Sequence, residues 1–292
     1  MGDKSTFINK YRPYRLTDFC TNDRFKQAVN TLISVDDLNI LFVGNSNAGK
    51  TSLLNTLIRE YYDLTSTDSL PENNILFVNN LKEQGIQYFR NDMKTFCQSM
   101  SAIYGKKKLV LIDDIDTINE QSQQVFRNYI DKYRNNIQFI CVCNNVQKVV
   151  ESIQSRLHII QIPSPNIQQI SSLMNKIIIN ENIQVDEDAK EYILTISNMS
   201  IRSMISILEK LYIYNQPITK ELCIKISSII SYTKFEDYLS MLQSNDLSGA
   251  ILLMYNIYDY GYSVIDIYDY LFSYIKRTDS FNDDIKYKIT IV

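Results

Sequence analysis

Nowhere in the 292 residues does an apolar run approach the roughly 18 positions that a bilayer-spanning helix needs. The first residues, Met1-Gly2-Asp3-Lys4-Ser5, also lack the apolar segment of a signal peptide. A soluble, intracellular protein with no membrane contact is expected. Cysteine is scarce and odd in number: Cys20, Cys97, Cys141, Cys143 and Cys223 have no C-x-x-C spacing, so neither a disulfide framework nor a zinc site is expected. Cys141 and Cys143 stand two apart in a strand-like run and read as small core residues. The single histidine, His158, has no metal-ligand or nucleophile companion nearby and reads as structural or surface. Excess basic charge is missing too. A formal charge of −3 and a pI near 5.4 exclude a free-standing nucleic-acid binder that relies on bulk charge, so any such contact must come from a local basic surface. There is no internal repeat, no sustained heptad and no long low-complexity segment. The 45% hydrophobic fraction rules out a disordered chain, and the length suits one large core or two to three modest ones. An excess of Asn, Ile and Tyr points to a source genome rich in A and T.

The chain is organised around Gly44-Asn45-Ser46-Asn47-Ala48-Gly49-Lys50-Thr51, followed by Ser52. This fits G-x-x-x-x-G-K-[ST], in which backbone N–H groups wrap a triphosphate, a lysine reaches the β/γ oxygens and a hydroxyl helps to hold Mg²⁺. The context fits as well. Leu38 to Val43 is a short apolar run of strand length, and Leu53, Leu54, Leu57, Ile58 and Tyr61 then recur at helical spacing. A strand, a loop and a helix N-terminus are what a phosphate needs.

Taken in order, residues 7–19 are expected to form an extended arm around Pro13, because the residue before a proline is pushed out of the helical region. A first helix runs from Asn22 to Ile33, with Asn22 or Asp23 as its cap. Further apolar runs at Ile75–Asn79, Leu109–Ile112, Ile137–Cys143 and His158–Ile162 alternate with helices, one of them over Asn119–Tyr133. Five such runs predict a parallel α/β sheet covered on both faces. Lys106-Lys107-Lys108 reads as a solvated turn. Downstream of Pro163-Ser164-Pro165 everything reads as helix: Ile167–Ile179, Asp186–Ile196, Ser200–Tyr212, Thr219–Ile230, Phe235–Leu242, Leu247–Tyr258 and Val264–Ile275. Three domains are expected: a nucleotide-binding α/β domain over 1–162, a helical lid over 163–230 and a helical collar over 231–292.

ATP hydrolysis on such a fold needs a carboxylate for Mg²⁺, a group to orient or deprotonate water, and positive charge near the γ-phosphoryl. Asp113, at the end of an apolar strand, suits the first task and Asp114 the second. Asn144, directly after the next strand, can hydrogen-bond a water or a phosphate, or it can be an ordinary turn residue. Arg156 and Arg202 are candidate positive charges or plain surface arginines.

Together Lys10-Tyr11-Arg12-Pro13, the phosphate loop, Asn79 with Gly85-Ile86, Leu111-Ile112-Asp113-Asp114, Cys143-Asn144 and Ser155-Arg156 resemble the ordered motif series of the small subunits of replication factor C. That family of sliding-clamp loaders is a branch of the AAA+ ATPases. The resemblance runs over about residues 7–215; the collar matches only in its helical character. It implies an ATP- and Mg²⁺-dependent ATPase that belongs to a five-member ring, opens a sliding clamp and places it on primer-template DNA. It further implies that Tyr11 and Arg12 border the adenine, that Lys50 and Thr51 hold phosphates and Mg²⁺, and that Asn144 and Arg202 are first and second sensors. Arg156 would be a finger reaching a neighbouring subunit's ATP. DNA contact would be to phosphates through Arg90, Lys94 and Arg127, on helices that face the family's central chamber. The resemblance also allows a nuclear location or a cytoplasmic viral replication site.

Several positions depart from the family pattern. The usual Asp-Glu-Ala-Asp is Asp113-Asp114-Ile115-Asp116 here, so the presumptive base is one methylene short. A misplacement of about 1 Å can cost ~100-fold in rate, so slower hydrolysis with retained ATP binding is expected. The loop lacks the family's Pro and central Gly, Leu157 stands where Cys is usual, and the Gly-Asp before the second sensor is absent. Two rival readings follow: an ATP-binding but catalytically weak ring member, or another AAA+ DNA machine such as an initiator or junction helicase.

Overall fold

The computed structural model describes residues 6–45, 47–65, 68–78, 86–226, 230, 232–278, 282 and 286–288. Five parallel strands, β1 (Ile40–Val43), β2 (Ile75–Val78), β3 (Lys108–Ile112), β4 (Ile137–Cys143) and β5 (His158–Gln161), form one sheet in the order β2-β3-β4-β1-β5. β1 to β4 run largely apolar because both of their faces are covered, whereas β5, at the sheet edge, is mostly exposed, which corrects the expectation of a sheet covered on both faces throughout. Ile40, Phe42, Leu109, Leu111, Ile140 and Val142 face one core, while Leu41, Val110, Ile112, Phe139, Cys141 and Cys143 face the other. All twelve are fully buried. Truncating a side chain such as Phe42 to alanine should cost about 3–5 kcal/mol. The two strand cysteines are core residues, as expected, and burial pushes the Cys141 thiol well up.

Around the sheet and beyond it lie α1 (Phe7–Lys10), α2 (Asp23–Ser34), α3 (Lys50–Tyr61), α4 (Ile86–Gln98), α5 (Glu120–Tyr133), α6 (Glu151–Gln154), α7 (Ile167–Asn180), α8 (Glu187–Ile196), α9 (Ile201–Ile213), α10 (Lys220–Ile226), α11 (Tyr232–Gln243), α12 (Leu247–Asp259) and α13 (Val264–Arg277). The caps are those the residue types favour. Asn22 accepts from the Phe25 amide at 2.9 Å, Asn119 from Ser122 at 2.8 Å and the Ser200 hydroxyl from Ser203 at 3.2 Å. Two compact units emerge. One comprises Met1–Gln184 with Ile193–Ile213, and the other Val185–Tyr192 with Tyr214–Val292. In the second, Ile230, Phe235, Ile257, Tyr274 and Ile275 make a small separate core. Among the described residues no helix is long and apolar enough to cross a membrane.

Two expectations are corrected. The arm over 7–19 is not extended throughout, because Phe7–Lys10 is a helical turn. The Phe7 amide donates to Glu209 Oε1 at 3.0 Å and its ring packs on Tyr212 at 5.2 Å, both on α9. The restriction imposed by Pro13 reaches only the residue before it. Nor is Lys108 in a solvated turn. It opens β3, is 2% exposed, and its ammonium donates to Phe96 O at 2.8 Å and Ser99 Oγ at 2.6 Å at the end of α4, where helix carbonyls lack internal partners.

Candidate active site

The strand order decides which loops meet. Because β4 lies between β3 and β1, the residues that follow these three strands converge at one edge: Asp113 and Asp114 after β3, Asn144 after β4, Gly44 after β1. This is the crevice at the carboxyl ends of a parallel sheet, where such folds bind ligands.

The loop from Gly44 to Gly49 closes tightly. Gly49 has φ +82°, a left-handed conformation that an L side chain resists, and a Cβ there would stand 3.1 Å from the Phe19 ring. A Cβ on Gly44 would meet that of Ile162 at 3.2 Å. Ser46 lies outside the described residues. Lys50 opens α3 and is only 8% exposed. Its ammonium donates to Asn45 O at 2.9 Å and to Asn144 Oδ1 at 2.7 Å. Among the described residues it has no carboxylate within ion-pair distance, so a nearly buried cation is held by neutral acceptors beside a helix N-terminus. Such an arrangement favours an anion. One residue on, Thr51 Oγ1 donates to Asp113 Oδ2 at 2.7 Å. A hydroxyl and a carboxylate are the hard oxygen donors Mg²⁺ prefers, and with Lys50 they fit a magnesium–nucleoside triphosphate.

Asn144 is the hinge of the cluster. Its Oδ1 accepts a hydrogen bond from the Lys50 ammonium while its amide N–H donates to Asp114 Oδ1 at 3.0 Å. Asp114 itself sits at φ 51°. Its carboxyl is pushed above the ordinary range, first by burial and then by repulsion from Asp113 and Asp116, against the opposing pull of Lys50 and Asn144. A carboxyl raised in this way holds a proton more readily than a surface aspartate, which suits proton exchange with a water.

Arg12 reaches the same helix end, donating to Thr51 O at 3.3 Å. Burial, then the positive charges of Arg202 and Arg59, lower its pKa. Arg202, on the first turn of α9, thus lies close enough to Arg12 for the two cations to repel each other. Tyr11 turns the other way: its hydroxyl donates to Glu181 Oε1 at 2.5 Å, and burial followed by Glu181 pushes it up to about 12.

The remaining expected residues lie apart from this cluster. Arg156 follows α6 and donates from Nε–H to Asp131 Oδ1 at 2.5 Å, which raises its pKa further. Arg127 stands one turn before Asp131 on α5, with Nε 3.6 Å from Oδ2. Lys94 is exposed on α4, one turn beyond Arg90, whose side chain is outside the described residues, as are Asn79 and Gly85.

Two acidic residues without an expected role prove to hold expected ones in place: Asp116 within the site and Asp131 at Arg156, apart from it. Asp116 Oδ2 accepts from the amides of Asn144 at 3.2 Å and Asn145 at 3.0 Å, which fixes the turn carrying Asn144. The only trace of it in the sequence is a third carboxylate two residues after the pair. Asp131 carries no motif signal at all.

The part of the chain that builds this cluster, residues 40–164, matches the model of the ATPase family associated with various cellular activities (AAA). A protein of Acanthamoeba polyphaga mimivirus, provisionally named a replication factor C small subunit, is 26% identical to this chain over all of it and 90% of that protein. The replication factor C small subunit of Methanocella arvoryzae is 26% identical over 93% of this chain and 84% of its own length. In fold the chain is similar to the RuvB Holliday junction branch migration motor of Thermotoga maritima, with a TM-score of 0.59 at 12% identity over 82% of this chain and 81% of that one.

Proposed function

We propose that this chain is an ATP-hydrolysing subunit of a sliding-clamp loader, which opens the clamp and places it on primer-template DNA during replication. The observation that carries the reading is the continuous bonding from Lys50 through Asn144 to Asp114, beside the Thr51–Asp113 pair, in a chain whose relatives are named replication factor C small subunits. ATP with Mg²⁺ supplies the transferable phosphoryl group. Lys50 and the Gly44–Gly49 loop bind phosphate oxygens, Thr51 and Asp113 hold the metal, and Arg12 and Arg202 add positive charge. Asp114 orients a water and takes its proton, while Asn144 holds Asp114 at the reacting end. Arg156 serves the ATP of a neighbour in a five-member ring, and Arg90, Lys94 and Arg127 meet DNA phosphates, so that binding falls with salt and ignores sequence.

A second reading, a ring member that binds ATP but turns it over weakly, is favoured by Asp114 being one methylene shorter than glutamate and tied back to Asn144. An Asp114→Glu change that leaves turnover of the complex unaltered supports it. The main reading is tested by transfer of a labelled clamp onto primed circular DNA by the complex containing this chain. Transfer that needs ATP and is lost with Lys50→Ala is expected; transfer indifferent to both overturns it.

A further inference from the structure

Asp131 lies 25 residues from Arg156 in sequence and outside every motif, yet it makes the shortest contact that arginine has, at 2.5 Å. A guanidinium carries five N–H donors in a fixed fork. The Nε proton goes to Asp131 Oδ1, and Nη1 donates to Ser152 O at 2.6 Å and to Ser155 Oγ at 3.3 Å. Among the described residues Nη2 donates to nothing. The fork is therefore fastened along one side and presents a single pair of donors. A long side chain free at its tip samples many rotamers, and fixing it in advance removes that entropy cost from the binding step. The anchor is itself rooted, because Asp131 stands on the 14-residue helix α5, whose Phe126 and Ile130 pack into the core beneath β4.

We propose that Asp131 is a positioning residue for Arg156: it holds the guanidinium by Nε so that the Nη2 end is set, before subunits meet, to reach an anion on a neighbouring chain. This rests on the finger role proposed above. Arg127 shares the same carboxylate at 3.6 Å, as the weaker and longer of its two partners. The hydrogen bond from Arg156 is also the main reason the Asp131 carboxyl lies below its ordinary range, so the contact persists throughout neutral pH.

The experiment compares ATP turnover by the assembled complex, stimulated by clamp and primer-template DNA, for the unaltered chain, Asp131→Asn, Asp131→Glu, Arg156→Ala and the double variant Asp131→Asn with Arg156→Ala. Misplacing a group by about 1 Å costs up to ~100-fold in rate, and the asparagine still offers a neutral acceptor, so Asp131→Asn should lower kcat about 10-fold with KM for ATP nearly unchanged. Asp131→Glu should recover part of that loss. In the Arg156→Ala background the asparagine should add nothing, since a residue acting through another has no effect once that other is gone. A general folding role for Asp131 predicts instead a loss that adds to that of Arg156→Ala, together with weaker assembly; that result overturns the proposal, as does unaltered kcat in Asp131→Asn when Arg156→Ala is impaired. If Arg156→Ala is itself unimpaired, the finger reading fails and this inference falls with it.

Discussion

Removing the Asn144 side chain interrupts the site at its midpoint. In Asn144→Ala the ammonium of Lys50, a residue 8% exposed, loses its 2.7 Å acceptor and, among the described residues, keeps Asn45 O, while Asp114 loses the 3.0 Å donor that fixes its carboxylate. A hydrogen bond to a charged group contributes about 1.5–3 kcal/mol, and two are lost. They act on different quantities. Bound phosphate oxygens can replace the acceptor at Lys50, so ATP affinity should fall by no more than about 10-fold, the equivalent of one such bond at the low end. Nothing replaces the donor at Asp114. Losing one fixed donor aimed at reacting charge typically costs about 100- to 1,000-fold in kcat, so turnover should drop by roughly 100-fold. Equilibrium binding of a fluorescent ATP analogue and single-turnover hydrolysis by the complex read the two effects separately. Turnover within about 3-fold of the unaltered chain would mean that Asn144 holds neither neighbour to any purpose, and the roles derived for Lys50 and Asp114 would have to be redrawn.

Asp114→Asn tests the electrostatics. Because the folded chain raises the Asp114 carboxyl above its unfolded value, the folded state binds that proton more tightly. Ionised Asp114 therefore costs stability, increasingly as pH rises from the ordinary carboxylate range through the raised value. The asparagine should melt at a higher temperature than the unaltered chain at pH 7, with the gap closing near pH 4, while hydrolysis is lost; a gap that is absent at pH 7 or widens in acid contradicts the assignment. Gly49→Ala forces a side chain into the left-handed region, at a cost of about 1–2 kcal/mol, and sets its Cβ 3.1 Å from Phe19. ATP binding should weaken about 5- to 30-fold, the equivalent of that strain, with a lower melting temperature; unchanged affinity would show that the loop is not the phosphate cradle.

The ease with which different parts could be read has physical causes. β4 runs over Ile137–Cys143 as expected residue for residue, because a strand buried on both faces is nearly all apolar; its one polar side chain, Gln138, is buried and hydrogen-bonded to Leu38 and Asp36. The pairing of Thr51 with Asp113 follows from a motif whose spacing is itself the chemistry. That Asn144 would sit after a strand was legible, but its bond to Lys50, 94 residues away, depends on β4 lying between β3 and β1, which no local pattern encodes. The turn at Phe7–Lys10 was missed for a similar reason, since Phe7 is held by Glu209 and Tyr212 some 200 positions on. Lys108 looked like one of three surface lysines because its partners, a last-turn carbonyl of α4 and the hydroxyl of Ser99 just beyond it, are specified by packing rather than by neighbours in the chain. Asp131 has no motif at all, and only the fold brings it to Arg156.

The proposed clamp-loader function couples ATP hydrolysis to a clamp and DNA through a ring. The most direct measurement is steady-state ATP hydrolysis by the native complex containing this chain, with and without primer-template DNA plus sliding clamp, beside the Arg156→Ala complex. The account predicts strong stimulation by clamp and DNA together that collapses in the alanine complex. Hydrolysis that neither clamp nor DNA stimulates, and that is indifferent to Arg156, would contradict it.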